Sequence, residues 1–345
     1  MKKTATAHPF KIFWLSSLIT IILGALMLSH GGIVGLWLFT ILVVLEVTFS
    51  FDNAVINSRV LVRMSPLWQK LFLTVGIFIA VFVVRFLLPI FIVMITSGHG
   101  FNEVVDLALN NPEEYGKTLH HAAPTIDAFG GTFLAMIGIS YFMNRQKDIH
   151  WLGKIEKRLA KAGDYENLKV FVMLSVAMIL YFTVDDAYKI TVLTASIIGT
   201  LLHMGLEIFG SYFEKRQSGS AAKLVGMAAF GSFMYLEILD ASFSLDGVIG
   251  AFAITNEIVL IIAGLGAGAI WVRSLTVYLM TSGTLGKYRY LEHGAHWAIL
   301  ALGIVMLVKL YHVNPPEWLT GSLGLIVISI AIFSSVLEGK KALKK

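Results

Sequence analysis

Asp240-Ala-Ser-Phe-Ser-Leu-Asp246-Gly247 sits inside a long apolar stretch and repeats an earlier segment, Glu46-Val-Thr-Phe-Ser-Phe-Asp52-Asn53. Each copy carries a carboxylate, a Phe-Ser pair and a second carboxylate six residues after the first. At the centre of a bilayer helix a carboxylate costs roughly 2.5–3.5 kcal/mol on insertion scales, so charge there is rare and marks function. Four carboxylates at matched positions point to a place where something positive binds.

The flanks of both copies set the class. Of 345 residues, 57% are hydrophobic and 14% charged, where a soluble chain carries about 25% charged residues. Many stretches are nearly free of charge and long enough to cross a hydrocarbon core about 30 Å thick. The expectation is an all-α polytopic membrane protein whose first partner is the lipid bilayer; the alternation of a transmembrane barrel is absent. The net charge of +5 gives no nucleic-acid signal, because the basic residues fall in short connections and at the C-terminus. Without cysteine, the chain has no disulfides, thiolate metal sites or cysteine nucleophiles. Lys2, Lys3 and Lys11 ahead of an apolar run resemble a signal peptide. No convincing small-residue cleavage site follows, so the segment is read as the first span.

Hydropathy places ten spans near 12–30, 33–58, 68–97, 125–144, 168–185, 189–210, 222–254, 256–281, 294–312 and 317–337. Basic residues alternate with the loops: Arg59, Arg63 and Lys70 in one, seven between Arg145 and Lys169, then Lys215, Arg216 and Lys223, then Lys287 and Arg289. The loop 98–124 is instead acidic through Glu103, Asp106, Glu113 and Glu114. The positive-inside rule then puts both termini in the cytoplasm, and a bacterial inner membrane is the expected location. The cytoplasmic insert 145–168 spaces its apolar and basic residues helically; it either lies on the headgroups or is a solvated loop helix.

The repeat extends past the motifs. Val83-Val84-Arg85 and Met94-Ile-Thr-Ser-Gly98 match Trp271-Val272-Arg273 and Met280-Thr-Ser-Gly283. Two five-span halves, 1–185 and 186–345, enter the membrane with opposite polarity because five is odd. That is the inverted-repeat plan of secondary transporters, with a site near the midplane where the halves meet.

On a regular helix, positions i and i+6 are about 120° apart, so Glu46 and Asp52 do not face each other. Ser and Thr inside both motifs, followed by Asn53 or Gly247, favour a helix break near Asp52 and Asp246 that frees carbonyls to join the carboxylates. Hard oxygen ligands suit a divalent cation: Mn²⁺, Mg²⁺ or Ca²⁺. The competing reading is structural, with Arg85 and Arg273 simply neutralising acids inside the spans. Both hold if an arginine keeps a carboxylate until a cation arrives; the extra acid Glu237 leaves an acidic excess. Asp127, in Asp127-Ala-Phe-Gly-Gly-Thr, is a further candidate ligand or an outer-interface residue, with paired glycines allowing close helix approach. Asp185 and Asp186 cap the fifth span or line a vestibule. His121 and His293 are proton relays or satisfied interfacial histidines. His203 and Glu207 share a helix face and bind a metal or one another. Gly31–Gly35 and Gly264–Gly268 are read as packing seams.

The twin motif, Glu46 to Asn57 and Glu237 to Gly250 with Asp127-Ala-Phe-Gly-Gly-Thr in support, resembles the TerC family of integral membrane proteins, and within it the DUF475 branch. That resemblance implies placement among the cation exporters of the LysE superfamily, with Mn²⁺ favoured and an association with tellurium resistance. It marks Glu46, Asp52, Asn53, Asp240 and Asp246 as ion-site residues; Gly247 departs by removing the oxygen that Asn53 supplies. The expectation is a non-enzymatic exporter of a divalent cation, without a resident cofactor and coupled to protons. An intramembrane metallohydrolase is the first rival, disfavoured because His-Glu-x-x-His and Gly-x-Ser-x-Gly are absent. A membrane partner in metal or tellurite stress is the second.

Overall fold

In hydrocarbon every backbone polar group must be satisfied within its own segment, and helices do this without neighbours. The computed structural model describes residues 9–145, 147–165, 167–216, 223–313 and 315–342; the side chains of some helical residues, Asp246 among them, fall outside that description. Apart from one bridge between Met64 and Leu224, the regular structure of the described residues is helical. The helices are α1 (Pro9–Phe49), α2 (Phe51–Arg63), α3 (Pro66–Phe78), a π-helical segment (Ile79–Leu87), α4 (Leu88–Ser97), α5 (Phe101–Asn110), α6 (Pro112–His121) and α7 (Ala123–Phe142). They continue with α8 (Lys154–Ala162), α9 (Leu168–Thr183), α10 (Lys189–Arg216), α11 (Gly226–Ile254), α12 (Ile258–Thr281), α13 (Thr284–Lys287), α14 (Leu291–Lys309) and α15 (Glu317–Ala342).

Among the described residues, seven stretches are long and apolar enough to cross a membrane: Pro9–Phe49, Pro66–Ser97, Ala123–Phe142, Lys189–Phe213, Ile258–Thr281, Leu291–Lys309 and Ser322–Gly339. The chain is thus a multi-pass membrane protein, and the ten expected spans differ from these seven for three physical reasons. Residues 12–30 and 33–49 are merged in α1 while 51–58 fall in α2, the region 168–185 shortens to the sixteen residues of α9, and α11 carries Glu237, Asp240 and Asp246.

α1 is itself a hairpin. Gly32 has φ 62° and ψ −154°, a conformation open essentially to glycine alone. A Cβ on Gly35 would lie 2.8 Å from the Met27 carbonyl oxygen, and one on Gly24 3.5 Å from the Phe39 ring. Residues eight and fifteen apart meet this closely only where the chain folds back. Gly31 therefore belongs to a turn, not to the expected packing seam, and nothing lies near its Cβ position.

The chain divides into two compact units, residues 1–123 with 214–282 and residues 124–213 with 283–345. In the first, α12 is the spine. The Gly264–Gly268 seam lets the second leg of α1 approach: Cβ atoms there would come within 2.5 Å of Leu42 Cβ and Glu46 Cβ. The first leg packs on the same helix, Phe13 stacking on Trp271 at 5.4 Å and Trp271 Nε1 donating to Thr20 Oγ1 at 2.8 Å. In the second unit, α7 and α14 cross at glycines. A Cβ on Gly131 would meet Leu307 at 2.8 Å and one on Gly138 would meet Leu300 at 2.7 Å, the close approach expected of Asp127-Ala-Phe-Gly-Gly-Thr.

Candidate functional site

The twin motifs meet inside the first unit. The first runs from the end of α1 through Ser50 into α2. Ser50 has irregular dihedrals (φ −99°, ψ 15°), yet Ser50 N–H donates to the Glu46 carbonyl at 3.0 Å and Ala54 N–H to the Ser50 carbonyl at 3.1 Å. The backbone of α11 is helical through Asp246. The expected break near Asp246 is therefore absent, whereas the one near Asp52 is present as a turn at Ser50, where α1 ends and α2 begins. Ser50 Oγ donates to Glu46 Oε1 at 2.9 Å and Ser242 Oγ to the Ile238 carbonyl at 3.0 Å.

Two cross-contacts fix how the motifs face. Asn53 Nδ2 donates to Asp240 Oδ1 at 2.6 Å, and a Cβ on Gly247 would lie 3.5 Å from Glu46 Oε2. Numbers rise along one motif as they fall along the other, so the two helices are antiparallel at this contact. Each motif's first acid meets the residue that follows the other's second acid. Gly247 leaves the space beside Glu46 that a side chain would fill.

The two arginines lie among these acids. Arg85 sits in the π-helical segment, whose wide turn has a cause in Pro89: it has no N–H to give the Arg85 carbonyl. Arg85 pairs with Glu46 through Nη2, approaches Asp240 Oδ2 at 3.8 Å and donates from Nη1 to the Ala80 carbonyl at 2.6 Å. Arg273, on α12, grips both oxygens of Glu237 at 3.3 Å and donates to Asp240 Oδ2 at 3.5 Å. Its guanidinium lies 3.7 Å over the Phe72 ring. Asp240 thus joins both arginines and Asn53.

Glu46, Asp52, Glu237 and Asp240 are each at most 5% exposed, and so are Arg85 and Arg273. With all six ionised, two formal negative charges remain uncompensated. Asp52 is also bonded incompletely, since its buried Oδ1 has no hydrogen-bond partner in the protein. Asp246 lies on α11, and its side chain is among those not described. Asp127 is buried on α7 and belongs to the other compact unit. Among the described residues no three His, Asp or Glu side chains converge as the ligands of one metal ion would; guanidinium groups lie between Glu46, Asp240 and Glu237.

Asn57 is a polar residue of this region that sequence reasoning left without a role. It is fully buried, and neither amide atom has a partner. Its signal was spacing: Glu46, Ser50, Asn53 and Asn57 recur at i, i+4, i+7 and i+11, one face of a helix.

In the second unit the insert 145–168 is anchored. Glu156 of α8 is 1% exposed and accepts from Trp297 Nε1 at 3.0 Å and the Trp151 N–H at 3.0 Å, and it pairs with His293 Nδ1 at 2.8 Å. Burial works to raise its pKa, but these donors outweigh burial and hold the carboxyl at about 2. Burial draws the Lys147 ammonium, 3.3 Å over the Tyr141 ring, down to about 8 against the pull of Glu156 and Glu292. His293 is thus a partnered histidine. His203 packs against Phe133, while Lys169 takes both oxygens of Glu207 at 2.6 Å, so that pair does not assemble as metal ligands. Beyond the end of α9, Asp185 pairs with His312 and Asp186 with Lys189.

Comparison with curated proteins and with solved structures finds no match. A family model described as "Protein of unknown function (DUF475)" matches residues 51–342, which include Asp52, Asn53, Arg85, Asp127, Glu237, Asp240, Asp246 and Arg273 and begin just after Glu46. With nearly the whole length matched, the chain belongs to the DUF475 family.

Proposed function

We propose that the chain is a secondary transporter that exports a divalent metal cation, with Mn²⁺ the favoured cargo, by exchange for protons. The observation that carries the reading is the buried cluster of Glu46, Asp52, Glu237 and Asp240, with two formal negative charges more than Arg85 and Arg273 neutralise. Burying such an excess is unfavourable unless a cation or protons complete it. A dication balances two charges, and so do two protons; that equivalence is the physical basis of exchange.

Asp52, Asn53, Asp240 and Asp246 bind the cation together with Glu46, which is released from Arg85 as the metal enters. Arg273 and Glu237 act as the counter-ion pair. The hairpin of α1, the short α9 and the acid-bearing α11 count as further spans and bring the total to ten, in two inverted repeats of five. The antiparallel contact of the motifs supports that arrangement. Alternating access comes from rocking of one bundle against another, in a bacterial inner membrane with both termini in the cytoplasm. The TerC and LysE resemblance supports export over uptake.

The test is cellular Mn²⁺ content at toxic external Mn²⁺. Cells carrying the chain hold less Mn²⁺ than cells without it, and Asp52→Asn removes the difference. Equal accumulation with and without the chain would overturn the proposal.

A further inference from the structure

Beside the ion pairs lie buried polar atoms that the protein itself does not satisfy: Asn53 Oδ1, both amide atoms of Asn57, and Ser244 Oγ. Asn53 and Asn57 are 0% exposed and Ser244 is 2% exposed. Native interiors pair nearly all such atoms, and each one left alone is costly. Two arrangements explain why these go without. The Nδ2 of Asn53 is committed to the Asp240 carboxylate, which can only accept, so its oxygen is the atom left free. The antiparallel contact, with Asn53 opposite Asp240 and Gly247 opposite Glu46, aligns two polar rows. One row is Glu46, Ser50, Asn53 and Asn57. The other is Gly247, Ser244, Asp240 and Glu237, spaced as one face of α11.

We infer that Asn57, together with Asn53, supplies neutral oxygen ligands to the cation on the α2–α11 seam, Asn57 lying one helical turn from the Asn53–Asp240 contact. The inference rests on the cation reading and names the coordination that the carboxylates leave incomplete. The free atoms include the amide oxygens of Asn53 and Asn57, one helical turn apart on the same face of α2, in a region of net negative formal charge. A dehydrated divalent ion needs about six to eight such oxygens, and neutral amide donors fill its shell without deepening the charge trap. An anion would find carboxylates here, and an apolar ligand would leave every one of these atoms unsatisfied.

The test uses the full chain purified in detergent, with Mn²⁺ alone as the probe and loss of the free-ion paramagnetic resonance signal as the measure of binding. Wild type binds; Asn57→Leu raises the Kd by at least about tenfold, and Asn57→Asp, which keeps an oxygen at the same reach, does not weaken binding. Monodisperse elution in gel filtration certifies that each variant is folded. Binding by wild type with an unchanged Kd in Asn57→Leu overturns the inference and leaves the carboxylate site standing. Equal weakening in Asn57→Leu and Asn57→Asp also overturns it, because the oxygen is then not what matters. A wild type that binds no Mn²⁺ overturns both readings together.

Discussion

Asp240 holds the position on which the site turns, because it accepts from Asn53 on one motif and faces both arginines. Such a carboxylate is stable in a buried setting only while its partners remain. Arg273 shows the cost most directly, since it serves both Glu237 and Asp240. Arg273→Leu is expected to destabilise the protein by about 3–5 kcal/mol, read as a lowered unfolding midpoint in detergent. Adding Glu237→Leu should recover part of the loss, because it removes an acid left without its partner. A double variant as unstable as the single one would show that the pair does not act as a unit. At this scale the acids were legible in the sequence, since a charge inside an apolar run is conspicuous. Asn57 was not, because an amide in a helix gives no such contrast until its surroundings are known to lack a partner.

Among the elements, α8 departs most from its sequence reading. Its basic and apolar alternation read as a helix on the headgroups or in solvent, yet Glu156 is buried beneath it and joined to α14. The pull of His293, Trp297 and the Leu152 N–H lowers the Glu156 pKa in the folded protein from 4.5 to about 2. A carboxylate depressed on folding contributes stability that is fully present above its unfolded value and is lost as pH falls toward the folded one. Protection of residues 147–165 from protease should therefore hold above about pH 4.5 and fail progressively toward pH 2. Trp297→Phe removes one donor to a buried carboxylate, costs about 1–3 kcal/mol and shifts that loss of protection to higher pH. An unchanged pH profile in the variant would place the anchor elsewhere. Glu156 escaped sequence reading because its partners are 137 and 141 residues away. The Gly264–Gly268 seam was legible, since small residues spaced one turn apart on an apolar helix have few uses besides close packing.

At the scale of the whole molecule, the lipid-facing composition and the alternating charge of the loops set topology. The chain has no cysteine, so single introduced cysteines report the side of the membrane directly. Cysteine at Asn110, an exposed residue in the acidic region 98–124, should react with an impermeant maleimide in intact cells. Cysteine at Lys161, exposed on the insert, should react only after permeabilisation. Labelling of both from one side would overturn the orientation drawn from the basic loops.

The sequence alone determined that this chain lives in a bilayer and that its unusual acids come as a pair of related motifs. Both follow from one physical fact: apolar length and misplaced charge are properties of residues in order, visible without contacts. The tertiary structure decided the rest. It folded α1 back at Gly32, set the motifs antiparallel with Asn53 against Asp240, and placed Arg85 and Arg273 among the carboxylates. It also turned the first motif at Ser50 while keeping α11 helical through Asp246. Those outcomes depend on which side chains meet across helices far apart in the chain, and a hydropathy pattern holds no information about partners.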